Sequence, residues 1–172
     1  MNKRIPYLLA VLGMFGGVLI AILFGVNEAY FKDKIANGLQ ANEKIMSIED
    51  TTARESKIKS ETDKNWRYYQ RFHFHATGIG AMSLASLLLL ALSMAPMVLK
   101  TVSSYMISIG GLLYPFVWLF AGIFGPSMGR EEAKEAFAIF GYMGGVFLVG
   151  LLLLLFIIAK YPMKFLDSNK AL

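Results

Sequence analysis

The stretch "AFAIFGYMGGVFLVGLLLLLFIIA", residues 136–159, decides the fold because it holds 24 consecutive residues without Asp, Glu, Lys or Arg. An α-helix rises about 1.5 Å per residue and the hydrocarbon core of a bilayer is about 30 Å thick, so about 20 apolar residues cross it. Peptide groups find no water in that core, and a helix satisfies their hydrogen bonds internally. This stretch therefore predicts a transmembrane helix.

Three further stretches have the same character, at residues 5–26, 72–99 and 102–124. The chain of 172 residues is 56% hydrophobic with a mean hydropathy of +0.52, whereas a soluble domain averages about 45–50% apolar residues. The sequence thus predicts an all-α integral membrane protein, with four transmembrane helices packed as a bundle in a single membrane domain over residues 1–172.

The first stretch follows the basic flank "MNKR", which is also typical of a secretory signal. A cleaved signal has an apolar region of about 7–15 residues and a small-x-small cleavage site. This stretch has 22 apolar residues and ends in "FGVNEAYF" without such a site. We therefore expect a first helix that is retained.

The basic residues predict the orientation. With the N-terminus inside, the inner side carries six basic residues and one acidic residue, including the tail 160–172, and the outer side carries eleven of each. Basic residues near the ends of spans favour the cytoplasmic side. We expect both termini in the cytoplasm and residues 27–71 outside, with the bacterial cytoplasmic membrane as the location.

The outer segment 27–71 contains one glycine and no proline, and its apolar residues recur at roughly helical spacing. "TARE" at residues 52–55 predicts a capping box, with Thr52 as the cap and Glu55 reaching back. A helical hairpin is expected, its second arm continuous with the second span. Near its end, Trp66, Tyr68 and Tyr69 have the composition of an interfacial aromatic belt. Further along, Gly125-Pro126 is expected to end the third span.

Small residues spaced by four form the strongest pattern within the spans. Helices in lipid associate by close backbone approach at such residues. The predicted packing positions are Gly13, Gly17, Ala21 and Gly25 in the first span, Thr77, Ala81 and Ala85 in the second, and Gly141 and Gly145 in the fourth. They suit packing within one bundle, and they also suit docking of another membrane subunit.

The two histidines, His73 and His75, lie at the start of the second span. On a helix they are about 200° apart and face different directions, so they cannot clamp one haem from both sides. Contact with a quinone, with a b-type haem that has a methionine as second ligand or is shared between two chains, or with copper stays open. Hydrogen bonding to headgroups, water or backbone is the simpler interpretation. The cofactor is unknown from the sequence.

The absence of cysteine removes disulfides, thiolate metal sites, iron–sulfur clusters and c-type haem attachment. No catalytic constellation is visible, and the balanced charge of the outer segment argues against nucleic acid. We expect a non-catalytic multi-pass subunit of a larger membrane assembly, such as an energy-transducing or electron-transfer complex. The alternatives are a redox or metal-binding protein using His73 and His75, and a small transporter or channel. A transport pathway would use Ser83, Ser86, Ser108, Tyr114 and Tyr142.

Overall fold

The computed structural model describes residues 4–164, of which 88% are helical and none is in a strand. Seven helices follow in chain order: α1 Ile5–Gln40, α2 Glu43–Met46, α3 Thr51–Leu92, α4 Met97–Leu113, α5 Phe116–Met128, α6 Arg130–Ala136 and α7 Ala138–Lys160. A lone antiparallel bridge joins Ser93 to Met163.

Within residues 4–164, four helical stretches are long and apolar enough to cross a membrane, namely Ile5–Gln40, Thr51–Leu92, Met97–Met128 and Ala138–Lys160. The prediction of an all-α chain with four apolar helices of membrane-spanning length is therefore confirmed. These helices are compatible with an integral membrane protein.

Helix α1 breaks at the end of its apolar part. Asn27 has φ −153° and ψ 73°, outside the helical region, and its Oδ1 accepts a hydrogen bond of 3.0 Å from the backbone N–H of Tyr30. Asparagine is among the preferred N-cap residues because its side chain satisfies an amide that the helix cannot. Asn27 therefore ends the apolar helix and begins its polar continuation.

The Asn27→Ala variant is expected to lose about 1 kcal/mol of stability, because the capped amide loses its partner. Hydrogen exchange of the backbone amides just after Asn27 should accelerate. Asn37→Ala, at an exposed position within the same helix, is the matched control and should leave those amides unchanged. Equal exchange in both variants would contradict a capping role.

Helix α3 differs from the sequence prediction at both ends. Asp50, not Thr52, caps it: the Asp50 carboxylate accepts hydrogen bonds from the backbone N–H groups of Thr52 at 2.9 Å and Ala53 at 3.4 Å. The predicted capping box was therefore wrong by two residues. The second span was expected to reach Leu99, whereas α3 ends at Leu92. Proline disfavours helical geometry in the residue before it, and Pro96 lies at the start of α4.

The expected helix end at Gly125-Pro126 was also wrong. Pro126 lies inside α5, which continues to Met128. The helix stops at Gly129, whose φ of 103° is the only positive φ among the described residues. Glycine adopts that backbone conformation readily because it has no Cβ. The third apolar stretch also divides at Tyr114-Pro115 into α4 and α5.

The contacts divide the chain into two compact units, each described by itself. Unit 1 takes in the described residues of Met1–Phe15, Ala76–Tyr114 and Tyr142–Leu172. Its buried apolar core contains Ala10, Leu87, Leu90, Ala95, Ile107, Phe147, Leu154 and Ile157. Two hydroxyls add hydrogen bonds between its helices: Tyr7 donates to the Leu87 carbonyl at 3.1 Å and Ser103 to the Gly150 carbonyl at 2.9 Å.

Glycines allow the helix backbones of unit 1 to approach closely. A Cβ added to Gly80 would lie 2.7 Å from the Met14 backbone nitrogen, and one added to Gly110 would lie 2.5 Å from the Phe147 backbone nitrogen. Real Cβ atoms essentially never come within 3.0 Å of another heavy atom. At these two positions only glycine fits, as expected where membrane helices pack through small residues.

Unit 2 comprises Gly16–His75 and Pro115–Gly141. Its buried apolar core contains Ile35, Leu39, Ile45 and Tyr69, with Phe24, Phe31, Ile58, Trp66 and Leu119 packed against it. Three of the apolar residues that recur in the outer segment are thus buried together, which explains their helical spacing.

Candidate functional site

His73 joins two helices of unit 2. Its ring is half-buried, and Nδ1 lies 2.8 Å from the backbone carbonyl oxygen of Gly17 on α1. A carbonyl oxygen only accepts, so Nδ1 carries the proton and donates it. In the neutral ring Nε2 is then the acceptor, and it is the atom through which a neutral His73 would bind a metal or a polar ligand.

His75 contacts a different helix. Its Nδ1 donates to the Arg71 carbonyl oxygen of its own helix at 2.8 Å, and its ring centre lies 5.9 Å from that of Trp118 on α5. The structure therefore brings the two histidine rings to different neighbours. Within residues 4–164 no group of three or more His, Cys, Asp or Glu side chains is arranged to hold a metal ion.

A cation–aromatic stack lies beside His75. The Arg71 guanidinium lies 4.9 Å from the centre of the Trp118 ring and 5.6 Å from that of Tyr68, and the two rings stack at 5.7 Å. Such contacts are worth about 0.5–2 kcal/mol, more when they are desolvated. The indole N–H of Trp118 is buried and has no hydrogen-bond partner in the described part of the chain.

The three residues expected to form an aromatic belt lie in or near the interior of unit 2. Tyr68 and Tyr69 are buried, and Trp66 is half-buried. The Trp66 ring centre lies 4.9 Å from that of Phe24, and the Tyr69 ring centre lies 5.5 Å from that of Phe31. The first pair packs the end of the apolar part of α1 against α3, and the second packs the polar continuation of α1 against α3.

The strongest polar interaction of unit 2 was not found from the sequence. Glu61 is only 7% exposed, and its Oε2 accepts a hydrogen bond of 2.6 Å from Nε of Arg130 on α6. Lys64 donates to the other carboxylate oxygen at 3.2 Å. The buried ion pair therefore ties α3 to the segment that follows α5.

Both charged groups lie in polar parts of the chain, outside the apolar stretches. Burial raises the pKa of Glu61, but the hydrogen bonds from Arg130 and Lys64 outweigh burial and hold that pKa below its ordinary value of 4.5. The hydrogen bond to Glu61 raises the pKa of Arg130. A carboxylate stabilised in its charged form is a poor general base, so this pair suits structure better than proton transfer.

Asn65 lies one turn after Glu61 and is fully buried. Its Nδ2 donates to the Glu61 carbonyl oxygen at 2.8 Å, and its Oδ1 has no partner among the residues that the structure describes. A Cβ added to Gly125 would lie 2.7 Å from that oxygen. The absence of a side chain at Gly125 therefore makes room for the Asn65 amide.

A cavity of about 260 Å³ lies beside the ion pair, with Glu61, Arg130, Lys57, Lys44 and Glu132 in its wall. Lys44 hydrogen-bonds to Glu132, which lowers the pKa of that exposed carboxyl group. The charges around the cavity are paired with one another. Because its acidic and basic side chains form ion pairs with each other, the cavity offers no excess of positive or negative charge to bind an ionic ligand.

The predicted packing positions fall into two sets. Gly13 and Gly17 are buried, and Ala21, Thr77 and Gly141 are half-buried, whereas Gly25, Ala81, Ala85 and Gly145 are exposed. The closest approaches to backbone atoms in unit 1 involve Gly80, Gly110 and Gly150, which the four-residue spacing did not select. The groups nearest to them are mainly backbone atoms of larger residues, Met14, Phe147 and Ile107, so no small-residue pattern in the sequence marks these positions.

The residues of a possible transport pathway are not equivalent in their surroundings. Ser83, Ser86 and Ser108 are buried in unit 1, whereas Tyr142 is 70% exposed. The Ser83 hydroxyl has no hydrogen-bond partner within residues 4–164. The three buried serine hydroxyls and the exposed Tyr142 ring therefore do not line one common pathway within unit 1.

Comparison of the chain with family models, with curated proteins and with solved structures finds no match.

Proposed function

We propose that this chain is a non-catalytic, multi-pass membrane subunit whose helices pack against other membrane subunits in a larger assembly. In this proposal the four spans form a bundle, residues 27–71 form a helical hairpin on the outer side, and both termini lie in the cytoplasm. The basic inner flanks support this orientation. The break at Asn27 supports a change from spanning helix to outer segment at that residue.

One exposed face of α7 carries the proposal. Gly145 is exposed, and a Cβ added to it would meet nothing within 4 Å. Tyr142 and Val149, which lie on the same helix face at a spacing of three and four residues, are 70% and 46% exposed. On this face the side chains of Tyr142 and Val149 flank an open space over Gly145, and no atom of unit 1 fills that space.

Lipid alone gives little reason for a glycine at that position. Glycine costs about 1 kcal/mol relative to alanine inside a helix. At Gly110 the close approach of another backbone explains the glycine, and at Gly145 no such neighbour exists within unit 1. A helix of another subunit, which gains packing contacts by approaching a small residue closely, would supply the reason.

The experiment is purification from native membranes in a gentle detergent, followed by native mass spectrometry. A heteromeric complex is expected. Gly145→Leu should release the partner without lowering the thermal stability of this chain, because a Cβ at this position meets nothing within 4 Å. Leu88→Trp, which adds bulk at a 54% exposed position on α3 that carries no glycine, is the control and should retain the partner.

Two results would contradict the proposal. One is a chain that purifies alone or only with copies of itself. The other is a Soret band or bound copper that is lost in the His73→Ala/His75→Ala double variant. That result would favour the redox or metal-binding alternative, in which the Nε2 atoms of the two rings reach a cofactor.

A further inference from the structure

The cation–aromatic stack of unit 2 holds a charge that no carboxylate neutralises. The Arg71 guanidinium lies 4.9 Å from the centre of the Trp118 ring and 5.6 Å from that of Tyr68. Its side chain forms no ion pair and no hydrogen bond within residues 4–164. Every residue of unit 2 belongs to the described part of the chain, so this unit holds no further partner for Arg71.

The two rings keep the guanidinium in place and leave its donors unused. Tyr68 is 3% exposed and stacks on Trp118 at 5.7 Å between ring centres, whereas Arg71 is exposed. A guanidinium carries five N–H donors in one plane. Arginine combines stacking on aromatic rings with bidentate hydrogen bonding to phosphate or carboxylate. The stack therefore presents a fixed fork of donors to a ligand outside the chain.

Arg71 occupies the boundary between polar and apolar sequence. It directly precedes the apolar stretch 72–99, and Trp118 lies within the apolar stretch 102–124. Basic side chains near the ends of spans usually extend towards water, whereas the Arg71 guanidinium lies against Trp118. A positive charge beside hydrocarbon is costly unless an anion compensates it.

The two helices of the stack supply no such anion nearby. Helix α3 has no Asp or Glu after Asp63, and α5 has no charged residue. Phe74 lies one helical turn after Arg71, on the same face, and is 67% exposed. This face therefore offers a phosphate-binding group followed by an exposed apolar ring, which is the order of phosphate and acyl chain in a phospholipid.

We propose that the cation–aromatic stack binds the phosphate of a phospholipid. Arg71 donates two parallel hydrogen bonds to the phosphate oxygens, and the first part of an acyl chain covers Phe74. Because the rings fix the guanidinium beforehand, less ordering is needed on binding. The contact with Phe74 favours a lipid over a free phosphate ion, since only a lipid gains from covering apolar surface. This inference requires insertion into a bilayer and does not require a partner subunit.

The experiment is native mass spectrometry of the full chain in a phosphate-free detergent, with dioleoyl phosphatidylcholine and dioleoylglycerol as probes. The two probes have the same acyl chains, and only the first carries a phosphate. Wild-type protein should retain phosphatidylcholine preferentially. Arg71→Gln should weaken its binding about ten-fold, the effect of losing a hydrogen bond to a charged group. Arg71→Lys keeps the charge but loses the planar fork, and should weaken binding about three-fold.

Two further variants keep the result specific. Arg67→Gln is the same change at an exposed position one turn earlier on α3, and it should bind phosphatidylcholine as the wild type does. Phe74→Ser removes the apolar contact at an exposed position and should lower the retention of both probes. Thermal unfolding of each variant checks that the fold is kept.

Three outcomes would overturn the proposal. The first is equal retention of the two probes by the wild type. The second is a loss of phosphatidylcholine in Arg67→Gln as large as that in Arg71→Gln, which would indicate general attraction by basic residues. The third is displacement of the lipid by excess inorganic phosphate, which would indicate a site for a free anion.

Discussion

Arg130→Met is expected to lower the free energy of unfolding by about 3 kcal/mol, because it leaves the buried Glu61 carboxylate without its main partner. Glu61 is 7% exposed and accepts a 2.6 Å hydrogen bond from Arg130. Lys64 and Lys57 also contact the carboxylate, at 3.2 and 3.5 Å, but their side chains are 40% and 51% exposed and they are weaker partners. The measurement is denaturant unfolding in detergent, followed by tryptophan fluorescence, since Trp66 and Trp118 both lie in unit 2.

Two further variants separate the effect of losing the Glu61–Arg130 ion pair from the effect of changing the side-chain volume. Lys134→Met breaks the exposed ion pair with Glu131 on the same short helix, and it should cost less than about 1 kcal/mol. The double variant Glu61→Met/Arg130→Met removes both charges and should recover much of the loss, since apolar residues of similar volume often replace a buried pair without cost. A double variant as unstable as the single one would show that shape, not charge, dominates here.

The same pair predicts a loss of stability in acid. The pKa of Glu61 is lower in the folded chain than its ordinary value of 4.5. A carboxyl group with a depressed folded pKa contributes stability that is fully present above its unfolded pKa and is lost as the pH falls through the folded pKa. The wild type should therefore lose stability below pH 4.5, and Glu61→Gln should lose less over the same range. Parallel pH profiles for the two proteins would contradict the assignment.

The second large effect is expected at Gly110. In Gly110→Ala the new Cβ would lie 2.5 Å from the Phe147 backbone nitrogen and 2.8 Å from the Met143 carbonyl oxygen. Because backbone atoms cannot rotate away, α4 and α7 must separate, and overpacking of this kind costs about 1–3 kcal/mol. This cost exceeds the roughly 1 kcal/mol that alanine gains over glycine in a helix. Unfolding followed by circular dichroism should therefore show a net loss of about 1 kcal/mol, and up to about 2 kcal/mol if the helices cannot adjust.

Gly145→Ala is the matched control for Gly110→Ala. It is the same substitution on α7, and the added Cβ meets nothing within 4 Å. Only the helix-propensity gain remains, so the isolated chain should become more stable by up to about 1 kcal/mol. The two variants are thus expected to differ in sign, and a stabilised Gly110→Ala would refute the close approach of α4 and α7.

The sequence predicted the apolar helices well because hydrocarbon thickness and backbone hydrogen bonding leave few choices. Residues 136–159 became Ala138–Lys160, and the first stretch ended at Val26, next to the break at Asn27. Errors occurred where one side chain decides the geometry. Asp50, and not Thr52, caps the start of α3. Gly129, and not Pro126, sets the end of α5.

The Glu61–Arg130 pair could not be predicted for a different reason. The two residues are 69 positions apart, and in the sequence Glu61 is one of many charges in a polar segment. Which of those charges becomes buried depends on how α3 packs in unit 2, and no local pattern carries that information. The surroundings of His73 and His75 depend on packing in the same way, although their angular separation follows from helix geometry alone.

The close glycine contacts have a consequence for how this sequence can change over time. Gly80 and Gly110 face backbone atoms of the neighbouring helix, so no second substitution can make room for a side chain there. Gly144 faces the Tyr114 ring and Gly111 faces the Ser83 hydroxyl. At those two sites a smaller residue on the opposite helix would restore the space. Homologous chains should therefore keep the first two glycines unchanged, and should vary the other two only together with positions 114 and 83.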